Sequence, residues 1–351
     1  MHTENTAWFD IGIREDARPA FLDHGRLPNI INDLPNPEEQ YPSLCVFLGG
    51  TSMHTTLQGL FPLNNIKRHT SKATIRLRND VGTRESRFPI LFADSEYAKD
   101  LPSIPARLQP GVGQAVHWEC NSVEKMFSAV WTRMVFPFTD VVCIYIQGTS
   151  DIDRAVDFLA SCSGLQTASS LPSAVLPRLI IIHDTTTDKG KAEPMQAHAL
   201  KAKLEHSGCI EIGKPFSNIS FLDLPADTLS CSAKHDRIKT SITRELDTMR
   251  TVREKNHFHL NGFHLVALFQ CAIQHMIATI KHPFDVIKAT RGNRPVSPNA
   301  RSHLVHYLEA AKRAGVPLRD LVPSISSAIF MNHQVPGMPS KFRIEVAGRH
   351  H

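Results

Sequence analysis

The chain has no run approaching the roughly 18 uncharged apolar residues that a bilayer-crossing helix needs, so no membrane span is expected. Its first thirty residues carry charge and no apolar core, so no secretory leader is visible. It has no C-x-x-C pair. The seven cysteines (Cys45, Cys120, Cys143, Cys162, Cys209, Cys231, Cys271) are scattered, mostly within apolar stretches, and odd in number. That pattern favours reduced thiols and a cytoplasmic location over a disulfide framework. Long basic runs are missing too: a net charge of +5 spread over 351 residues gives a mild bias toward acidic partners and does not demand nucleic acid. The length suffices for one large α/β domain plus an appendage.

What is present begins at residue 44. Leu44 to Leu48 is an apolar run of buried-strand type, followed by Gly49-Gly50-Thr51-Ser52-Met53-His54-Thr55-Thr56 and then a short helix start through Phe61. The loop counts out as G-x-x-x-x-G-K-[ST], in which glycines let backbone N–H groups approach phosphates, lysine reaches the β and γ oxygens, and the hydroxyl holds Mg²⁺. Gly49 and Thr56 stand in register, but His54 replaces the second glycine and Thr55 the lysine. The frame survives without its chemistry.

A second strand, Ala73 to Arg78, alternates apolar and polar residues as a half-exposed edge strand would. A third, Pro89 to Asp94, is nearly all apolar and ends in an acid, where phosphate-loop NTPases place the aspartate that reaches Mg²⁺. Thr56 and Asp94 are therefore the candidate metal ligands. GTPases continue D-x-x-G so that a glycine amide senses the γ-phosphate; here Tyr97 takes that place, which argues against a nucleotide-driven switch. If Asp94 serves no metal, Asp94→Asn is expected to change the melting temperature little.

The remainder alternates. Glu119–Val135 reads as a helix, Thr139–Ile146 as a strand, Asp151–Leu159 as a helix and Leu179–His183 as a strand. Met195–Leu204 reads as a helix and Ile219–Leu224 as a strand. Such alternation implies parallel βαβ crossovers, hence an α/β fold with a doubly wound, mostly parallel sheet of phosphate-loop NTPase type. Residues 1–42, polar and punctuated by proline, read as an extended arm before an α/β domain over 43–233. From Lys234 the pattern is helical (Lys234–Arg253, Asn261–Ile280, His303–Ala314, Leu318–Met331), giving a helical subdomain to 335 and a flexible tail over 336–351. Thr185-Thr186-Thr187-Asp188 fits a guanine-reading [NT]-K-x-D only without its lysine and equally fits a hydrophilic turn. Ser232-Ala233-Lys234 matches the S-A-K behind a guanine ring but lies past the last strand.

Several stretches together resemble a family. Pro28 to Pro37, Gln40 to Leu44, Gly49 and Thr51, Phe88 to Glu96, Phe136 to Cys143 and Lys281 to Ala289 are similar to the amino-terminal nucleotide-binding region of filamentous-fungal proteins that carry a patatin-like phospholipase domain. The resemblance spans roughly 25 to 335 and implies a nucleotide site built on Gly49, Thr51, Thr55, Thr56 and Asp94, taking GTP or ATP with Mg²⁺ if it works. The chain departs at Ser52, His54 and Thr55, which stand for two glycines and the lysine. It also holds no G-x-S-x-G nucleophile elbow, so lipid hydrolysis does not carry over.

Histidine is plentiful, with 19 copies, and His264, Cys271 and His275 share one face of a helix. Only Cys271 to His275 approaches zinc-ligand spacing, so core or surface roles account for them better. Three readings follow: a pseudo-GTPase-like interaction or regulatory module with protein partners and no bound cofactor; a divergent Mg-dependent NTPase using Thr56 and Asp94 with a lysine such as Lys67 or Lys72; or an accessory protein of unrelated function on a recycled fold.

Overall fold

A computed structural model describes residues 6–50, 53–67, 74–97, 107–108, 113–164, 169–184, 211–212, 215–225, 229–292 and 299–332. Thr51, Ser52, Lys72, the 185–188 turn, the helix expected over 195–204 and the tail lie outside the described residues. The chain divides into two compact units, Met1–Phe284 and Asp285–His351.

The first unit is an eight-stranded mixed sheet with helices. Its strands are β1 (Ala7–Ile13), β2 (Pro19–Asp23), β3 (Ser43–Leu48), β4 (Thr74–Asn79), β5 (Ile90–Ser95), β6 (Val141–Ile146), β7 (Arg178–Asp184) and, after the short pair β8 (Glu211–Ile212) and β9 (Pro215–Phe216), β10 (Asn218–Leu224). The order is β10-β7-β6-β3-β5-β4-β1-β2. The five strands from β10 to β5 run parallel; β4 is antiparallel to β5, β1 to β4 and β2 to β1. The mostly parallel α/β sheet expected from the alternation is thus what the chain builds, in an order compatible with a doubly wound fold. β3, buried along its whole length, reads as a continuous apolar run because both its faces are covered.

Two expectations change. The stretch read as an extended arm carries β1, β2 and α1 (Arg26–Asn32), so β4 is an interior strand rather than an edge. Trp8, Phe9, Ile11 and Phe21 supply the burial that makes the hairpin part of the sheet, Trp8 stacking on Phe269 at 5.0 Å between centroids. Nor does a helical subdomain start at Lys234. Helix α5 (Cys231–Lys255) buries Ile238, Ile242 and Leu246 in one core with Leu57 and Leu60 of α2 (Met53–Leu60) and with Cys45, Phe47, Cys143 and Ile182 of the sheet. Helix α6 (Gly262–Ala278) buries Leu265, Leu268, Phe269, Ala272, Ile273 and Met276, a stripe at helical spacing.

The expected helix over 119–135 is α3 (Val123–Ala129), capped by Ser122, then a π-helical stretch over Val130–Val135 and a 3₁₀ turn over Phe136–Phe138. Helix α4 (Thr149–Gly164) joins β6 to β7. The second unit holds α7 (Val286–Gly292), α8 (Ala300–Arg313) and α9 (Leu318–Asn332), with Gly315 at φ 68° after α8. That left-handed position is the usual glycine stop of a helix.

Long-range ion pairs fix α5 on the sheet. Arg253 Nε lies 3.1 Å from Asp140 before β6 and its Nη2 donates to Thr139 O at 2.8 Å, while Asp140 accepts the Leu44 N–H at 2.7 Å. Glu245 pairs with Arg178 at the start of β7, and Lys234 Nζ donates to Asp184 at its end. All of these charges but the half-buried Arg178 are buried, so each of the buried ones needs its partner.

Candidate functional site

In open α/β sheets ligands bind outside the carboxyl ends of the strands, where the winding reverses. Here β3 leads through α2 to β4 and β5 on one side, and β6 leads through α4 to β7 on the other. The reversal falls between β3 and β6, where the chain places Gly49-Gly50 and Gln147-Gly148. The sequence-derived loop sits at this crevice.

Two tyrosines close over it. A Cβ on Gly49 would lie 2.9 Å from Tyr145 Cβ and 3.2 Å from Tyr145 O, so glycine is required because the end of β6 passes that close. Tyr97, which replaces the sensing glycine, is buried and donates its hydroxyl to that same Tyr145 carbonyl at 3.2 Å. Near Gly50 stands Asp151 of α4, whose carboxylate accepts the Gln147 N–H at 3.0 Å and an Arg154 Nη1–H at 3.1 Å. A Cβ on Gly50 would be 3.7 Å from Asp151 Oδ1.

Asp94 occupies the end of β5 and is 0% exposed. In the antiparallel pairing Arg76 lies directly opposite it and Arg78 opposite Phe92, so both arginines share its face. Arg78 Nη1 bonds Asp94 Oδ1, Arg76 Nη1 lies 3.7 Å from Oδ2, and His54 Nδ1 of α2 lies 4.0 Å from it. Burial lowers the Arg76 pKa, opposed by Asp94 first and by Glu96 and Asp10 beside it. The polar half of the alternation in β4 is therefore not a solvated face: it is a buried electrostatic partner for the acid of β5.

A second network lies at the end of β6. The phenol of Tyr145 donates to Asp184 Oδ2 at 2.6 Å. Lys234 Nζ donates to Asp184 Oδ1 at 2.8 Å, and Gln147 Nε2 reaches the phenol oxygen at 3.4 Å. Burial, and then the carboxylate of Asp184, hold the Tyr145 pKa well above its ordinary value. Tyr145, Asp184 and Lys234 are each at most 6% exposed.

Of the residues expected at a nucleotide site, Gly49 faces Tyr145, Thr55 is exposed, Thr56 is buried, and Asp94 is paired with arginine; Thr51 lies outside the described residues. A divalent cation at Asp94 would stand against two guanidinium groups, so as arranged this donor set does not fit Mg²⁺. Among the described residues no cluster of three His, Cys, Asp or Glu is placed to hold a metal ion. His275 donates its Nε2–H to the His282 carbonyl at 3.0 Å.

Reading the sequence missed Tyr145, Arg76, Arg78, Asp151 and Asp184, and gave Lys234 only a marginal place. The alternation Thr74-Ile75-Arg76-Leu77-Arg78, set against a strand ending in aspartate, was the one signal available for the arginines. No helix among the described residues is long and apolar enough to cross a membrane. No protein-family model matches the chain, and no match is found among curated proteins.

Proposed function

We propose that the chain is a pseudo-GTPase-like interaction or regulatory module, a phosphate-loop fold whose loop has given up Mg-nucleotide. The reading rests on placement and on charge. Gly49 and Gly50 follow β3 at the reversal of strand winding, and Asp94 lies near the end of the neighbouring β5, an arrangement that suits a nucleotide site. The observation that carries it is the pairing of Asp94 with Arg78 and Arg76, which supplies from the protein the positive charge that a metal would bring. The position of the phosphate-binding lysine is held by Thr55, which is exposed, and a charge-assisted contact of the kind a lysine makes is worth about 1.5–3 kcal/mol. Function on such a fold passes to surfaces, and the partners proposed here are proteins rather than nucleic acid.

The test is isothermal calorimetry of the intact chain with GTP and with ATP, each with Mg²⁺. No heat of binding is expected at micromolar protein. Micromolar affinity for either nucleotide would overturn the proposal and favour a divergent NTPase.

A further inference from the structure

The two ends of the sheet are finished differently. At one end β2 is short and opens on Pro19. It is also covered: Phe21 N donates to Gln114 O at 3.3 Å, and Gln114 N returns a bond to Phe21 O at 2.8 Å. Such devices keep a sheet edge from pairing with other chains. At the other end β10 runs for seven residues, Asn218-Ile219-Ser220-Phe221-Leu222-Asp223-Leu224, with no proline, no lysine and a single charge. Asn218 to Asp223 are all half-buried. The strand pairs with β7 in unbroken parallel register, and among the described residues no strand lies on its outer side. Over Ile219 to Asp223 the alternate N–H and C=O groups that point away from β7 therefore form a row of open donors and acceptors.

We propose that this edge is an interaction surface whose partner is β10 of a second copy of this chain, the two strands running antiparallel about Phe221. The register follows from the backbone. Outward-pointing groups alternate, so a residue offering its bonds must face another that does, and a symmetric pair must be centred on a residue rather than between two. Centring on Phe221 alone gives all seven residues a counterpart. Phe221 then faces the partner's Phe221, Ile219 the partner's Asp223, and Ser220 the partner's Leu222. Leu222 and Leu224 turn toward the core that holds Ile238 and Ile242 of α5, so Ile219, Phe221 and Asp223 share the other face. There the two rings meet, with an isoleucine diagonal to each. Asp223, the one charge of the strand, lies opposite an isoleucine on both sides of the axis, so no like charges meet. The inference does not depend on nucleotide, because β10 stands three strands away from β3.

Sedimentation equilibrium of the full chain tests it. The wild type should pass from monomer to dimer as its concentration rises through the micromolar range. Phe221→Lys sets two ammonium groups against each other at the axis and should weaken the dimer at least about tenfold; Phe221→Glu should do the same. An equal mixture of the two variants should dimerise at least about tenfold more tightly than either alone, since lysine then faces glutamate. Ile219→Lys faces the partner's Asp223 and should dimerise as the wild type does. Far-UV circular dichroism checks that each variant folds. Hydrogen exchange needs no variant: in the wild type, protection over 218–224 should rise about tenfold at the dimeric concentration, with 19–23 unchanged. The proposal is overturned by a chain that stays monomeric, which would leave the edge bare or to another protein's strand. It is equally overturned by dimerisation without added protection over 218–224, by a mixture that stays monomeric while both variants fold, or by Phe221→Lys dimerising as the wild type does.

Discussion

Replacing Asp94 by asparagine separates two accounts of this residue. An aspartate relieved of metal duty ought to be dispensable, which is the expectation drawn from the sequence; the structure reverses it. Asp94 is fully buried, with Arg78 bonded to one oxygen and Arg76 at 3.7 Å from the other, and both arginines are themselves 4% exposed. Asparagine conserves the volume, so no cavity term enters, and the loss is one of charge. At an effective dielectric near 20, a guanidinium about 4 Å away contributes about 4 kcal/mol of attraction. Part of that is offset by the Glu96 and Asp10 charges that still face Arg76. Breaking a buried pair while leaving its partner in place costs about 3–5 kcal/mol, and we expect Asp94→Asn to lie in that range. Urea unfolding followed by far-UV circular dichroism measures it, and the melting temperature should fall by about 6–20 °C at 2–4 °C per kcal/mol. Arg78→Met in the Asp94→Asn background should recover part of the loss, since it removes a charge that has lost its counterpart. A cost below about 1 kcal/mol for Asp94→Asn, or strict additivity of the two changes, would refute the account.

Two further outcomes follow from the same crevice and from the opposite end of the sheet. Gly49→Ala would drive a methyl to 2.9 Å from Tyr145 Cβ and should cost about 1–3 kcal/mol in urea unfolding, with a wild-type value showing that the loop has more room than its geometry indicates. His259, stacked on Tyr41 at 4.2 Å, has its pKa lowered to about 4, chiefly by burial and against the pull of Glu254. Its folded value thus lies below the ordinary 6.5. The neutral ring contributes stability that is complete above pH 6.5 and lost as pH falls toward 4. His259→Phe should flatten the pH dependence of the urea midpoint between pH 7 and 4.5, and an unchanged slope would assign it elsewhere.

The central strands were legible in the sequence because burial on both faces leaves an unbroken apolar run, as in Leu44–Leu48 and Leu179–Ile182. The amino-terminal hairpin was not. Prolines such as Pro19 and Pro28 read as punctuation, yet Pro19 opens β2 and Pro28 sits in the first turn of α1, both positions that tolerate proline. The arginines of β4 misled for a related reason: alternation reports that two faces differ, and charge was taken for solvent when its partner lay one strand away. Helix α5 looked autonomous because most of its surface is charged, while its hold on the sheet depends on a narrow apolar stripe and on Lys234, Glu245 and Arg253. At the crevice the loop frame was visible as spacing, but Tyr145 was not, since a tyrosine ending an apolar strand carries no mark of what its hydroxyl will meet.

The hairpin of β1 and β2 also decides where this chain tolerates being cut. A fragment starting at Ser43, where the loop strand begins, would retain every parallel strand and yet present β4 as a raw sheet edge. Its backbone N–H and C=O groups, now bonded to β1, would stand open, and Phe269 would lose the Trp8 ring that covers it. Open edges of this kind pair with other copies of themselves. Such a fragment would be lost to aggregation rather than to unfolding, so a soluble form of the crevice depends on the stretch that read as an extended arm.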